Sequence, residues 1–240
     1  MKKKLLFALA CILASVSCSK DGNAGSVQFT LTSDIAVQEI VKSRVSDFAA
    51  LPSPNDFVLT IKNSNGEKVW EGKLSQWSAA TAISAGTYSV TATYGDVTVE
   101  GPGKPCYEGS TNFSVTGSST SNVKIPVDLK NCIVKLVFSD AFKNYFTSGK
   151  FTITTGNSSK FVVDNYSPDA LFMDPYQFNL KAELTNQGKA VQNFEKNYND
   201  LAAATLYTLK FDASNIGGLV VTVTFNDNVT TVDLGDVEIN

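Results

Sequence analysis

The sequence predicts an all-β protein, two tandem Greek-key β-sandwiches following an N-terminal export signal. Two observations carry the fold class. The first is strict alternation from Tyr88 to Tyr94, within the stretch from Ile83 to Val115: Tyr88, Val90, Ala92 and Tyr94 share one face, while Ser89, Thr91 and Thr93 share the other. Period-two spacing in aromatic and β-branched residues is the signature of a half-buried strand. The second is an internal repeat. Residues 27–34 (VQFTLTSD) resemble 133–140 (IVKLVFSD), 57–64 (FVLTIKNS) resemble 151–158 (FTITTGNS), and 88–92 (YSVTA) resemble 207–211 (YTLKF). Three matches in one order divide the chain into units 26–130 and 131–240, each of a size usual for one core.

The N-terminal segment is read as a targeting signal, outside the fold. Lys2, Lys3 and Lys4 precede an apolar stretch from Leu5 to Ser17, too short to span a bilayer as a mature helix. Small residues flank Val16 just before Cys18, the arrangement of a lipobox, with Ser15 where leucine is usual. Residues 1–17 are therefore expected to be a lipoprotein signal peptide and Cys18 the lipidated residue. Residues 18–25, polar and glycine-containing after the cysteine, are expected to form a tether.

In the first unit, Val27–Leu31 reads as the opening strand and residues 34–50 as a connector of mixed periodicity. Two prolines in Leu51–Pro54 forbid regular pairing there. Phe57–Ile61 and Lys68–Trp70 form a hairpin across the Asn63–Gly66 turn signal. Val97 and Val99, then Phe113 and Val115, are expected on return strands. Residues 101–105 (GPGKP) are expected to make a tight loop, and Val123–Leu129 to finish the unit.

The second unit opens with Cys132–Phe138, where Val134, Leu136 and Phe138 point inward and Lys135 outward. The aromatic spacing of residues 140–146 suits one short helical turn. Strands are expected at 151–155, 161–163, 178–184, 207–211, 219–225 and 229–234, with polar residues 185–200 as a long loop.

Composition narrows the chemistry. The chain has 240 residues, net charge -3, 43% hydrophobic residues and no histidine. A weakly acidic chain without basic clusters has no footprint for nucleic acid, and lack of histidine removes Ser-His and Cys-His nucleophile pairs. No enzymatic activity and no cofactor are expected. Outside the signal, Cys106 and Cys132 form either a disulfide across the unit junction or two buried thiols. Asp164, Asn165 and Asp169, or Asn226–Asn228, offer oxygen ligands for calcium but lack the spacing of a known loop; Asx-bonded turns are the preferred reading, and no metal site is expected. Trp70 and Trp77 read as residues of a core or sandwich edge.

With these residues in view, the chain resembles a family of Bacteroides-type lipoproteins catalogued as a domain of unknown function. The resemblance rests on Asp56, Phe57 and Ile61 with Asn65-Gly66-Glu67, and on Ala85, Gly86, Tyr88, Ala92 and Tyr94-Gly95-Asp96. It continues in Pro105, Tyr107, Gly109-Ser110, Phe113, Val115, Leu129, Asn131 and Val134. Such proteins are similar in architecture to fimbrillin-like surface lipoproteins, so the resemblance implies transthyretin/immunoglobulin-like sandwiches after a lipidated N-terminus. It implies an outer-membrane, cell-surface location, a structural or adhesive role, and pilin-like subunits or host ligands as partners. The alternative is a surface lipoprotein that binds glycans through Trp70, Trp77 or Tyr107. In fimbrillin-like proteins an arginine-specific protease can cut after the first strand; the counterpart here is Arg44, the single arginine, unless it is only a solvated charge. No long donor tail is expected beyond residue 234, which favours an anchor over a polymerising subunit.

Overall fold

The alternation around Tyr88 builds the middle of a sheet. In the computed structural model, which describes residues 24–32, 45–164, 166–215 and 218–225 (214–215 and 218–225 as backbone), seventeen strands, one short α-helix and three 3-10 turns are present. The first strands are β1 (Ala24–Thr32), β2 (Val58–Asn63), β3 (Lys68–Lys73), β4 (Ala82–Ser84) and β5 (Gly86–Tyr94). Next come β6 (Gly101–Pro102), β7 (Tyr107–Val115), β8 (Thr120–Pro126) and β9 (Asp128–Leu129). The second unit holds β10 (Cys132–Phe138), α1 (Asp140–Tyr145), β11 (Phe146–Thr155), β12 (Lys160–Val163) and β13 (Leu171–Met173). It ends with β14 (Gln177–Asn186), β15 (Val191–Asn199), β16 (Leu206–Asn215) and β17 (Gly218–Phe225).

These strands form two sandwiches. Sheet β4-β1-β8 packs on β3-β2-β5-β7-β9, and β17-β16-β10-β13-β6 packs on β12-β11-β14-β15. In each, the opening strand pairs in parallel with a late strand (β1 with β8, β10 with β16) and antiparallel with a three-residue strand (β4 or β13). Strand by strand, β1, β2, β3, β4, β5, β7 and β8 occupy the places of β10, β11, β12, β13, β14, β15 and β16.

Two of the three sequence matches fall on corresponding strands. The third does not, because Tyr88–Ala92 lies in β5, the counterpart of β14, whereas Tyr207–Phe211 lies in β16, the counterpart of β8. Both segments alternate aromatic and polar residues, so their likeness reports a shared half-buried state and no shared position.

Other expectations are corrected. The stretch expected as a loop at 185–200 contains β15, an edge strand whose Phe194 and Tyr198 are buried while Asn193, Glu195, Asn197 and Asn199 are turned away from the core. Two anchors in nine residues are too few to read as a strand. Val97 and Val99 lie in a turn, held by the Asp96 carboxylate, which accepts from the Thr98 amide at 2.9 Å and hydroxyl at 2.7 Å. β1 begins at Ala24, inside the stretch read as tether. Cys18, Arg44, Asn165, Asn226–Asn228 and the strand expected at 229–234 lie outside the described residues.

Each sandwich has a core. That of the second is dominated by rings: Phe138, Phe142, Phe151 and Phe211 meet at centroid distances of 4.7–6.4 Å. α1 closes its end, with the Ser139 hydroxyl oxygen accepting from the Phe142 amide at 3.0 Å as N-cap. The first core gathers Val27, Leu59, Ile61, Val90 and Ile125, and it also takes Ile133, Ala170, Phe172 and Leu206 from beyond residue 130. Alternation explains this: Cys132 and Val134 of β10 enter the second core, while Ile133 between them enters the first. β13 repeats the division, with Leu171 and Met173 facing one core and Phe172 the other. The starts of these strands are buried on both faces.

Candidate functional site

Backbone pairing and side-chain hydrogen bonds both cross the junction of the sandwiches. The loop expected at residues 101–105 contributes β6, which adds to the second sandwich's sheet by pairing Gly101 with Phe172 and Pro102 with Leu171. Gly101 has φ +132, and a side chain there would press on the Phe161 ring at 3.3 Å. Glycine is therefore needed at this crossing. Just before β6, Glu100 carries its carboxylate into the second unit. It accepts from the Thr155 hydroxyl at 2.5 Å, the Asp174 amide at 3.0 Å and the Asn157 side-chain amide at 3.4 Å. Asn131, fully buried at the boundary, accepts from the Cys106 amide through its side chain and from the Ala204 amide at 2.8 Å through its carbonyl. Lys135 lies 5.4 Å from the centre of the Phe48 ring, a cation–π contact across the boundary.

Beside the junction opens a cleft of about 340 Å³. Its walls are the edge strand β12 of one sheet and the β6–β13 edge of the other, with Pro102, Phe161, Val163 and Leu171 among its lining. Lys160 makes up the charged and polar part of the wall together with the stretch that carries Asp164, Ser167, Pro168 and Asp169, in which Pro168 adds apolar surface. That stretch is pinned by Tyr166, whose hydroxyl donates to the Phe146 carbonyl at 2.9 Å and whose ring packs on Phe138 at 5.1 Å. Tyr166 holds φ +52, rare for an aromatic residue.

The sequence-selected residues do not converge on one site. Trp70 and Trp77 form an edge-to-face pair with centroids 4.9 Å apart, half-buried at the margin of the first core. The Trp77 indole donates to the Val27 carbonyl at 2.9 Å, and its ring abuts Phe29 at 5.1 Å. This pair seals β1 onto the sandwich and offers no flat platform. Tyr107 is 1% exposed, and burial pushes its hydroxyl up to about 12. Asp164 and Asp169 lie in the cleft, but no group of three acidic, cysteine or histidine side chains suited to a metal occurs among the described residues.

A family model described as a domain of unknown function, DUF4493, matches residues 23–240. The chain belongs to that family. No curated protein matches the sequence. Solved structures similar to this DUF4493 chain include the fimbrial anchor protein Mfa2 from Porphyromonas gingivalis, at 10% identity and TM-score 0.42, covering 90% of this chain and 100% of the other. A fimbrial assembly protein from Parabacteroides distasonis aligns at 10% identity and TM-score 0.45 over 72% and 91% of the two chains. A Bacteroides thetaiotaomicron protein assigned to polysaccharide binding aligns at 13% identity and TM-score 0.42 over 86% and 99%.

In this DUF4493 chain Cys106 and Cys132 are free, buried thiols. Burial, then the negative charges of Asp96 and Glu108, raises Cys106. Burial, with Asp174 and Glu100 adding to it, pushes Cys132 up to about 12. A thiol so disfavoured as thiolate is a poor nucleophile at neutral pH. Glu100, Phe161 and Asn131 were missed as site residues in the sequence. The one available signal was the Gly-Pro-Gly-Lys-Pro run, which marks a constrained backbone without saying what it meets.

Proposed function

We propose that this protein is a non-enzymatic lipoprotein of the outer membrane, anchored at the cell surface through Cys18, with a structural or adhesive role. The observation that carries the reading is the junction. Domains joined only by a linker move relative to one another, whereas a large apolar interface couples them. Here a strand of the first unit is hydrogen-bonded into a sheet of the second, and Ile133, Phe172 and Leu206 complete the first core. Such a body transmits load from one end to the other instead of hinging. Among the described residues no helix is long and apolar enough to cross a membrane, and the anchor in this reading is the lipid. Metabolic labelling with an alkyne fatty acid is expected to tag the wild-type protein and not Cys18→Ala. Full labelling of that variant would remove the anchor from the reading.

Arg44 is proposed as the processing position within the same reading. β1 ends twelve residues earlier and lies between β4 and β8, with Val27 fully buried. Its loss would leave an open groove that an incoming extended segment fills by restoring the same ladder. Limited digestion with an arginine-specific protease is expected to give one new N-terminus at Val45 and a product that self-associates. A monomeric product, or resistance at Arg44, would leave the anchored, non-polymerising form alone.

A further inference from the structure

We propose that the cleft beside the junction is a binding site for a neutral saccharide, one or two sugar rings of a longer glycan. The proposal goes beyond anchorage by giving the adhesive reading a ligand, and it rests on that reading only for its biological use. The cleft exists for a structural reason: a sandwich is closed along its middle, but at its margin the edges of the two sheets diverge. At this margin, between β12 and the β6–β13 edge, an open gap remains, lined also by Asp164, Ser167, Pro168 and Asp169. A volume near 340 Å³ sits at the lower end of small-molecule sites, about 300–1,000 Å³.

The lining has the two chemistries a pyranose needs. Phe161, Pro102 and Pro168 supply apolar surface for the C–H face of a ring. Asp164 and Asp169 accept from sugar hydroxyls, and Lys160 donates to hydroxyl or ring oxygens. These three charged groups have no side-chain hydrogen bond or ion pair among the described residues, so their capacity is open to a ligand. Two carboxylates beside one ammonium disfavour an anionic ligand. An extended peptide is disfavoured on the β6 side, where Pro102 has no amide to donate to a ladder.

The site is also prepared in advance. Tyr166 fixes the rim through its ring and its bond to the Phe146 carbonyl while holding a positive φ, a cost that the surrounding packing must meet. Because Pro102 belongs to the first unit and the other lining residues to the second, the site requires the docked pair.

The test uses the full exported chain in detergent, screened on an array of neutral oligosaccharides. Hits are measured by saturation-transfer NMR with the free sugar. Binding of at least one neutral glycan is expected, with saturation strongest at ring C–H protons. Asp164→Asn/Asp169→Asn and Phe161→Leu should each weaken it at least tenfold, with the unfolding midpoint of the carboxylate variant unchanged. Absence of any array hit, or binding untouched by both variants, would overturn the assignment. So would preferential binding of the peptide acetyl-Lys-Gly-Lys-amide, which would make the cleft a cation site. None of these results bears on Cys18 labelling, so the ligand and the anchor fail separately.

Discussion

Gly109→Ala is expected to lower the stability of the folded protein by about 3 kcal/mol or more, among the larger effects of a single added methyl. Gly109 sits in the middle of β7, opposite Ala92 of β5, where glycine is ordinarily unfavourable. A methyl there would lie 1.7 Å from the Pro126 carbonyl oxygen, 2.7 Å from its carbon and 2.8 Å from the Val127 Cα. All three are backbone atoms, so no rotamer change relieves the contact. β7 cannot move away easily, since it is paired with β5 along its length and with β9 at Tyr107 and Glu108. The chain turning from β8 into β9 cannot retreat either, because β1 holds that end. Ile125 is paired with Leu31, and the Val127 amide donates to the Thr32 carbonyl at 3.0 Å. Urea unfolding of Gly109→Ala beside Gly188→Ala checks the claim. An alanine at Gly188 meets only the Asn186 side chain, at 3.3 Å, and should change stability by no more than ~0.5 kcal/mol. Equal effects at the two positions would refute the close-approach argument.

Gly109 also shows what the sequence could and could not convey. A glycine inside an alternating strand signals an anomaly, but not which backbone it admits. The strands with strong alternation, β5 and β10, were legible because a half-buried strand writes its environment every second residue. β15 was not, since an edge strand with a polar outer face and two buried rings resembles a loop. β13 was lost for the opposite reason: Leu171, Phe172 and Met173 are all buried, so no alternation remains to be read. The cleft was least legible of all. Its residues come from β6, β12, β13 and the segment between the last two, and only the fold brings Pro102 to Phe161. Asp164 and Asp169 were noticed as oxygen donors, yet their meaning depends on the apolar wall opposite, which no local pattern encodes.

Phe172→Ala is expected to destabilise the protein by ~3–5 kcal/mol, the usual cost of emptying a buried phenylalanine site. What distinguishes it is where the loss should register. Phe172 is fully buried and belongs by sequence to the second unit, but its ring completes the first core with Ile133 and Leu206. Both tryptophans, Trp70 and Trp77, lie in the first unit at the margin of that same core. Their fluorescence therefore reports the first sandwich, while labelling of the Cys132 thiol, wholly buried in the second core, reports the other. If the shared core couples the units, Phe172→Ala shifts both transitions to lower urea by the same amount. Phe151→Ala, which opens a cavity only in the second core, should likewise move the tryptophan transition although it lies in the other sandwich. The alternative is two units that merely touch. In that case Phe151→Ala would expose Cys132 early and leave the tryptophan midpoint where it was, because a cavity confined to one independent core has no route to the other. A first unit unable to hold Ile133, Phe172 and Leu206 in place has lost part of its own interior, and cooperative unfolding follows from that geometry.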